Sequence, residues 1–167
     1  MNKMNIETNT KSRQLITFCV DNEIFAIDLM RVQEVTGRPV VLDVPLAPTF
    51  VRGLVNLRGQ IATAVDLSDF FRESSKEQTE GSTEVNATPK EEMSVICEIN
   101  RSLIALIVDS IGDVIEVRED EFEAPPPTLT GKLNEVVSGI YRQEEKYISV
   151  IDLVIIENEI EPTEKIA

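Results

Sequence analysis

A chain that repeats its own pattern is confined to folds built from two like units, and this sequence repeats. Shifting residues 18–35 by 79 positions lays Phe18, Ile24, Ala26, Ile27, Leu29, Val32 and Val35 on Cys97, Leu103, Ala105, Leu106, Val108, Ile111 and Val114, with Glu34 falling on Asp113. Further along, Gly53-Leu54 precedes Val65-Asp66-Leu67 and Gly139-Ile140 precedes Ile151-Asp152-Leu153, with thirteen positions from glycine to aspartate in both places. Any two half-buried strands share a period of two, but paired Gly and Asp anchors do not follow from that period. The pattern predicts two related lobes, residues 14–71 and 93–156. "EAPPPTLTG" adds seven residues between the matched segments of the second lobe. Its three prolines predict an extended crossing outside any central strand.

Within the lobes the pattern is that of strands. "LITFCV", "EIFAIDL", "RPVVLDV", "GLVNL", "QIATAVDL", "MSVICEI", "SLIALIV", "DVIEV" and "KYISVIDL" are short runs rich in β-branched and aromatic residues, bounded by Asn, Asp, Gly, Pro and Arg. Their density predicts an all-β fold of small antiparallel barrels or a sandwich, with short helical turns. "CVDNEIF" and "EINRSLI" read as hairpins tipped by Asp-Asn and Asn-Arg. Residues 1–13 and the acidic tail 157–167 read as flexible. The stretch Arg72–Glu92, with Val85 and Ala87 as its aliphatic side chains, reads as a mobile acidic loop.

Charge and chemistry narrow the function. A net charge of −14 repels phosphate backbones and anionic lipid, so neither nucleic acid nor membrane insertion is expected. The sequence contains no histidine, which removes the commonest general base and zinc ligand, and no catalytic, metal or cofactor site is assigned. No phosphate-cradling glycine loop and no G-x-S-x-G elbow is present. Cys19 and Cys97 lie far apart in apolar runs and read as buried thiols of a reducing cytoplasm. The amino terminus has no apolar leader segment, and the expectation is a soluble cytoplasmic protein.

Three groups of residues carry the site readings. Asp66 and Asp152, in matched positions, read as helix N-caps; the competing reading is a small hydrolase using Asp66, Asp152 or Glu34 as paired carboxylates. In "IDLMRVQEV", Leu29, Val32 and Val35 stand three apart, which predicts a tight turn at Met30 and Arg31. The three are either core or an apolar groove rimmed by Arg31 and Glu34. Arg58-Gly59 fits the tip of a hairpin between "GLVNL" and "QIATAVDL", where glycine supplies a positive φ and the arginine projects outward, either as a solubilising charge or as an anchor for a partner.

Taken together, "LITFCVDNEIFAIDLMRVQEV", "VPLAPTFVRGLVNLRG", "ALIVDSIGDVIEV" and "GIYRQEEKYISVIDL" resemble, in order and spacing, the CheW family of chemotaxis coupling proteins, from Gln14 to Leu153. The resemblance implies two SH3-like five-stranded β-barrel lobes packed around a common core. It implies a scaffold without catalysis that links chemoreceptor cytoplasmic tips to the histidine kinase CheA through the kinase's regulatory domain, at receptor arrays, with rings that can include further copies of such lobes. By position, Asn56, Arg58 and Gly59 match the family's NLRG site, and Leu29, Val32, Glu34 and Val35 match the contact surface beside it. A CheV-like coupling domain or a kinase regulatory module is the alternative within the fold. Two features depart from the family pattern: Thr63-Ala64 stands where Pro-Val is expected, and the acidic loop is long.

Overall fold

Two tight hairpins open the two repeats. The first joins β1 (Ser12–Val20) to β2 (Glu23–Asp28) and closes on the pair Val20 and Glu23. Its turn residues, Asp21 and Asn22, have φ of 50° and 66°, the left-handed conformation that Asp and Asn tolerate better than most residues with a Cβ. The matching hairpin joins β6 (Met93–Ile99) to β7 (Ser102–Val108) over Asn100 and Arg101, at 47° and 72°. The computed structural model describes residues 10–73 and 91–160. Most of the acidic loop and the outer parts of both tails lie outside these residues.

After β2, Asp28 accepts the Met30 backbone N–H at 2.9 Å and starts a 3₁₀ turn, Leu29–Arg31. This is the turn read from the spacing, and it delivers a further strand, β3 (Val32–Thr36). The chain continues through β4 (Val51–Leu57), β5 (Gln60–Asp66) and α1 (Leu67–Arg72). After β7 come β8 (Ser110–Arg118), α2 (Gly131–Val136), β9 (Val137–Gln143), β10 (Lys146–Ile151) and α3 (Leu153–Ile160). Adding 79 to the numbers of β1, β2 and β3 reaches β6, β7 and β8; adding 86 to β4, β5 and α1 reaches β9, β10 and α3. The repeat is therefore structural, and the difference of seven is the proline-rich insertion.

The two five-stranded sheets do not follow the two halves of the sequence. Sheet one has the order β8-β1-β2-β10-β9 and sheet two the order β3-β6-β7-β5-β4. Each joins the opening hairpin of one repeat to the third strand and closing hairpin of the other, so residues 14–71 and 93–156 do not each form a lobe. The sequence pattern specifies strands and their faces but not which copy of a hairpin a strand joins. Exchanging the repeats maps one strand order onto the other. In each sheet the repeats meet along a parallel seam, β2 with β10 and β5 with β7.

Both faces of each sheet are buried. Ile16, Phe18, Phe25 and Ile27 from sheet one meet Val95, Cys97, Ile104 and Leu106 from sheet two in one shared core, while separate clusters around Tyr141 and around Ala62 fill the two lobes. α1 closes the shared core: Phe70 meets Phe50 edge to face at 5.1 Å between ring centres, and Phe71 lies 4.8 Å from Phe25. Such pairs stabilise by about 1 kcal/mol beyond the area they bury.

Three expectations are corrected. Arg38–Val44 is not a strand: prolines 39 and 45 interrupt the ladder, and pairing there is limited to a bridge between Leu42 and Leu54. Residues 157–160 are not a loose tail but the end of α3, where Glu157 is buried and accepts a hydrogen bond from Asn100 Nδ2 at 2.8 Å. Val137–Gln143, absent from the nine runs, is β9. The matched glycines gain a physical reason. A Cβ on Gly53 would lie 2.1 Å from the Leu42 carbonyl oxygen, and one on Gly139 would lie 2.6 Å from that of Glu123. Both glycines admit a crossing segment, bridged Leu42 to Leu54 and Glu123 to Ile140.

Candidate functional site

The hairpin of β4 and β5 closes on Leu57 and Gln60, leaving Arg58-Gly59 as a two-residue turn. Arg58 itself has a φ of 52° and Gly59 one of 89°, so glycine is not alone in the left-handed region. Two positive φ values in succession match the twist of the flanking strands. Asn56 fixes the turn, its Oδ1 accepting the Gly59 N–H at 2.9 Å.

The Arg58 side chain is 89% exposed and its Nη2 lies 3.3 Å from Glu34 Oε2 on β3. β3 and β4 are the two edges of sheet two, so this ion pair joins the hairpin tip to the strand at the far side of the sheet. Asn56, Arg58, Gly59 and Glu34 thus form one connected group. Leu29 and Val32 are half-buried and pack against the shared core, whereas Val35 is exposed. Of the two readings of these apolar residues, core holds for Leu29 and Val32 and surface for Val35.

The root of the same hairpin is pinned by charge. Asp66 caps α1, its Oδ1 accepting the Asp69 N–H at 3.2 Å, and its Oδ2 pairs with Arg52 of β4. Arg52 also reaches Glu92 at 2.9 Å, and that hydrogen bond is the main cause that raises the guanidinium pKa above its usual value, with Asp66 adding to it. Burial and then Asp66 raise the Asp69 carboxyl. The expected departure at Thr63-Ala64 leaves β5 intact: Thr63 pairs with Leu54 on one side and Ile104 on the other, and Ala64 is fully buried.

The hydrolase reading loses its geometric basis. Asp66 and Asp152 line separate clefts, Asp152 accepts the Val154 N–H at 3.0 Å as a cap, and Glu34 is held by Arg58. Both cysteines are free; Cys97 is buried and its thiol is pushed up to about 12 by that burial, while Cys19 is half-buried. Among the described residues no helix is long and apolar enough to cross a membrane. Sequence reasoning missed Ile61, which is 55% exposed at the turn end of β5, on the face it shares with Thr63 and the buried Val65. A period of two groups it with Val65 and gives no sign of its exposure.

The comparisons with known proteins fit this geometry. The profile of the CheW-like domain matches residues 14–160. The chemotaxis protein CheW of Treponema pallidum is 30% identical over 145 residues, 87% of this chain and 82% of that protein. That of Klebsiella aerogenes is 22% identical over 144 residues, 86% and 81% of the two chains. The crystal structure of the scaffolding protein TtCheW from Thermoanaerobacter tengcongensis superposes with a TM-score of 0.71 at 29% identity, covering 85% of this chain and 90% of that one.

Proposed function

Because the chain belongs to the CheW-like family, whose members are chemotaxis scaffold adaptors, we propose that it joins chemoreceptor cytoplasmic tips to the histidine kinase CheA, at receptor arrays, through the face built by Asn56, Arg58, Gly59, Glu34 and Val35. Leu29 and Val32 support that face from the core. The chain acts by holding partners together and catalyses no reaction. The observation that carries the reading is Arg58: an exposed guanidinium on a turn that few arginines adopt, steadied by Glu34 and mounted on a hairpin pinned at its root. A planar fork of donors suits a partner's carboxylates and carbonyls, and rigid mounting lowers the cost of ordering it on binding.

Co-sedimentation of the purified chain with CheA and receptor-containing membranes, with kinase activity read from the pellet, tests the reading. Wild type is expected to assemble an activated complex and Arg58→Glu to fail. A wild-type chain that joins neither partner overturns the adaptor role. Equal assembly by the variant overturns the placement of the contact face.

A further inference from the structure

β5 and β7 run parallel, in register from Ala62 with Leu103 to Asp66 with Ile107. The turns that precede them, Arg58-Gly59 and Asn100-Arg101, therefore stand at the same end of sheet two on adjacent strands, which lie about 5 Å apart. A cleft of about 560 Å³ opens there, lined by Gln33, Gln60, Ile61, Thr63, Glu98 and Arg101 among others. Its neighbours Gln33 and Glu34, and Gln60 after Gly59, make it continuous with the Arg58 face.

The two acids at this cleft, Glu98 and Glu157, are each held, among the described residues, by a neutral amide and not by a cation. Glu98 accepts from Gln33 Nε2 at 2.7 Å, and Glu157 from Asn100 Nδ2 at 2.8 Å. Among the described residues Arg101 forms no ion pair, and its turn holds it at a φ of 72° with the side chain on the cleft. The fold does not require arginine at either tip. The matching positions in sheet one are Asn22, 79 before Arg101, and Glu144, 86 after Arg58, with φ of 66° and 55°. The corresponding cleft there is walled by Ile24, Pro125, Pro126, Leu129 and Tyr147, apolar where this one is polar. Two arginines thus occupy backbone positions that resist them, on one end of a chain whose net charge is −14.

We propose that Arg101 is a second contact and specificity residue of the Arg58 face: the two arginines receive carboxylates of one acidic segment of the protein partner, which lies across the cleft with Gln60 and Thr63 beneath it. The inference rests on the Arg58 face being the partner-binding site.

The test is calorimetric titration of the full chain with the kinase regulatory domain and with a soluble receptor-tip fragment, at low and high ionic strength. The proteins are wild type, Arg101→Asn, Arg101→Glu, Arg58→Glu and Arg58→Asn/Arg101→Asn, each first melted by circular dichroism. Arg101→Asn installs the residue that the matching turn uses, so it is expected to fold. The expected result is about a fivefold to tenfold loss of affinity for one partner with Arg101→Asn and a larger loss with Arg101→Glu. The salt dependence is expected to be shallower than that of wild type. If both Arg101 variants bind both partners within twofold of wild type while Arg58→Glu is impaired, the Arg101 assignment falls and the adaptor reading stands. If wild type binds neither partner, the adaptor reading falls with it.

Discussion

Arg58→Asn separates the cost of the turn from its use. A residue with a Cβ in the left-handed region costs about 1–2 kcal/mol relative to its preferred conformations, and Asn relieves part of that because Asn-Gly is the favoured pair for a turn with two positive φ values. Against the relief stands the loss of the 3.3 Å pair with Glu34, an exposed ion pair of the kind that contributes about 0–1 kcal/mol. The balance is a variant as stable as wild type or more so by about 0.5 kcal/mol, a rise of roughly 1–2 °C in Tm for a chain of this size. Partner binding moves the other way, by about 2 kcal/mol or thirtyfold if Arg58 anchors the contact. Differential scanning calorimetry and titration with the kinase regulatory domain, on the same preparations, read both. A fall in Tm of more than about 3 °C would refute the reasoning, because a side chain that contributes that much is holding the edges of sheet two together. A stable variant that binds as wild type would leave the strained turn without a functional cause.

Other consequences are as direct. Gly53→Ala is expected to cost about 3 kcal/mol or more in urea unfolding, since its Cβ meets the Leu42 backbone; Gly59→Ala, with open space around it, should cost about 1 kcal/mol from its positive φ alone. Because burial raises the Asp69 carboxyl, its ionised form opposes folding above the raised pKa, and the opposition is relieved as pH falls through it. Asp69→Asn should therefore raise Tm at pH 7, with the gain vanishing below the usual carboxylate range; an equal gain at low pH would contradict this. With its thiol at about 12 and buried, Cys97 should resist a thiol reagent at pH 8 until global unfolding, and labelling in the native state faster than unfolding would show that the shared core opens locally.

Much of this is legible in the sequence because it depends on local chemistry. Asp-Asn and Asn-Arg mark hairpin tips since few residues accept positive φ, whereas the glycines 53 and 139 stand out in the sequence only as matched anchors of the repeat, and the crossing segments that leave no room for a Cβ there are seen in the structure alone. Asp66 and Asp152 read as caps because a carboxylate before a short helix has free N–H groups to accept from. The strand exchange is not legible, since Val32 or Ile148 would be equally apolar in either sheet. In "VQEV" a period of two puts Val32 with Glu34 and Val35 on the other face, and the half-burial of Val32 and the exposure of Val35 follow it; the bulge between Val32 and Glu34 in the pairing with β6 is what the sequence does not show. Arg101 escapes because an arginine on a turn looks the same whether or not a cleft lies beneath it.

The exchange of strands also explains how an exposed tip can be held in place. The Arg58 hairpin belongs to the first repeat, yet β5 lies along β7 of the second for five residue pairs, whereas the equivalent seam of β2 and β10 is paired over two. Its root is fixed from both sides: Asp66 ends β5 and caps α1, Arg52 of β4 grips it, and Glu92, just before β6, closes the group. Moving the tip would mean breaking the longer seam or leaving Asp66 with its charge buried and unpaired, a change that costs several kcal/mol. Sheet one has the same topology but lacks an equivalent of that long seam, and its matching tip carries Glu144 instead of arginine. The better-anchored of two nearly equivalent hairpins is the one that carries Arg58, the residue proposed to make the contact, and this is what a coupling surface requires if partner binding is not to be spent on ordering it.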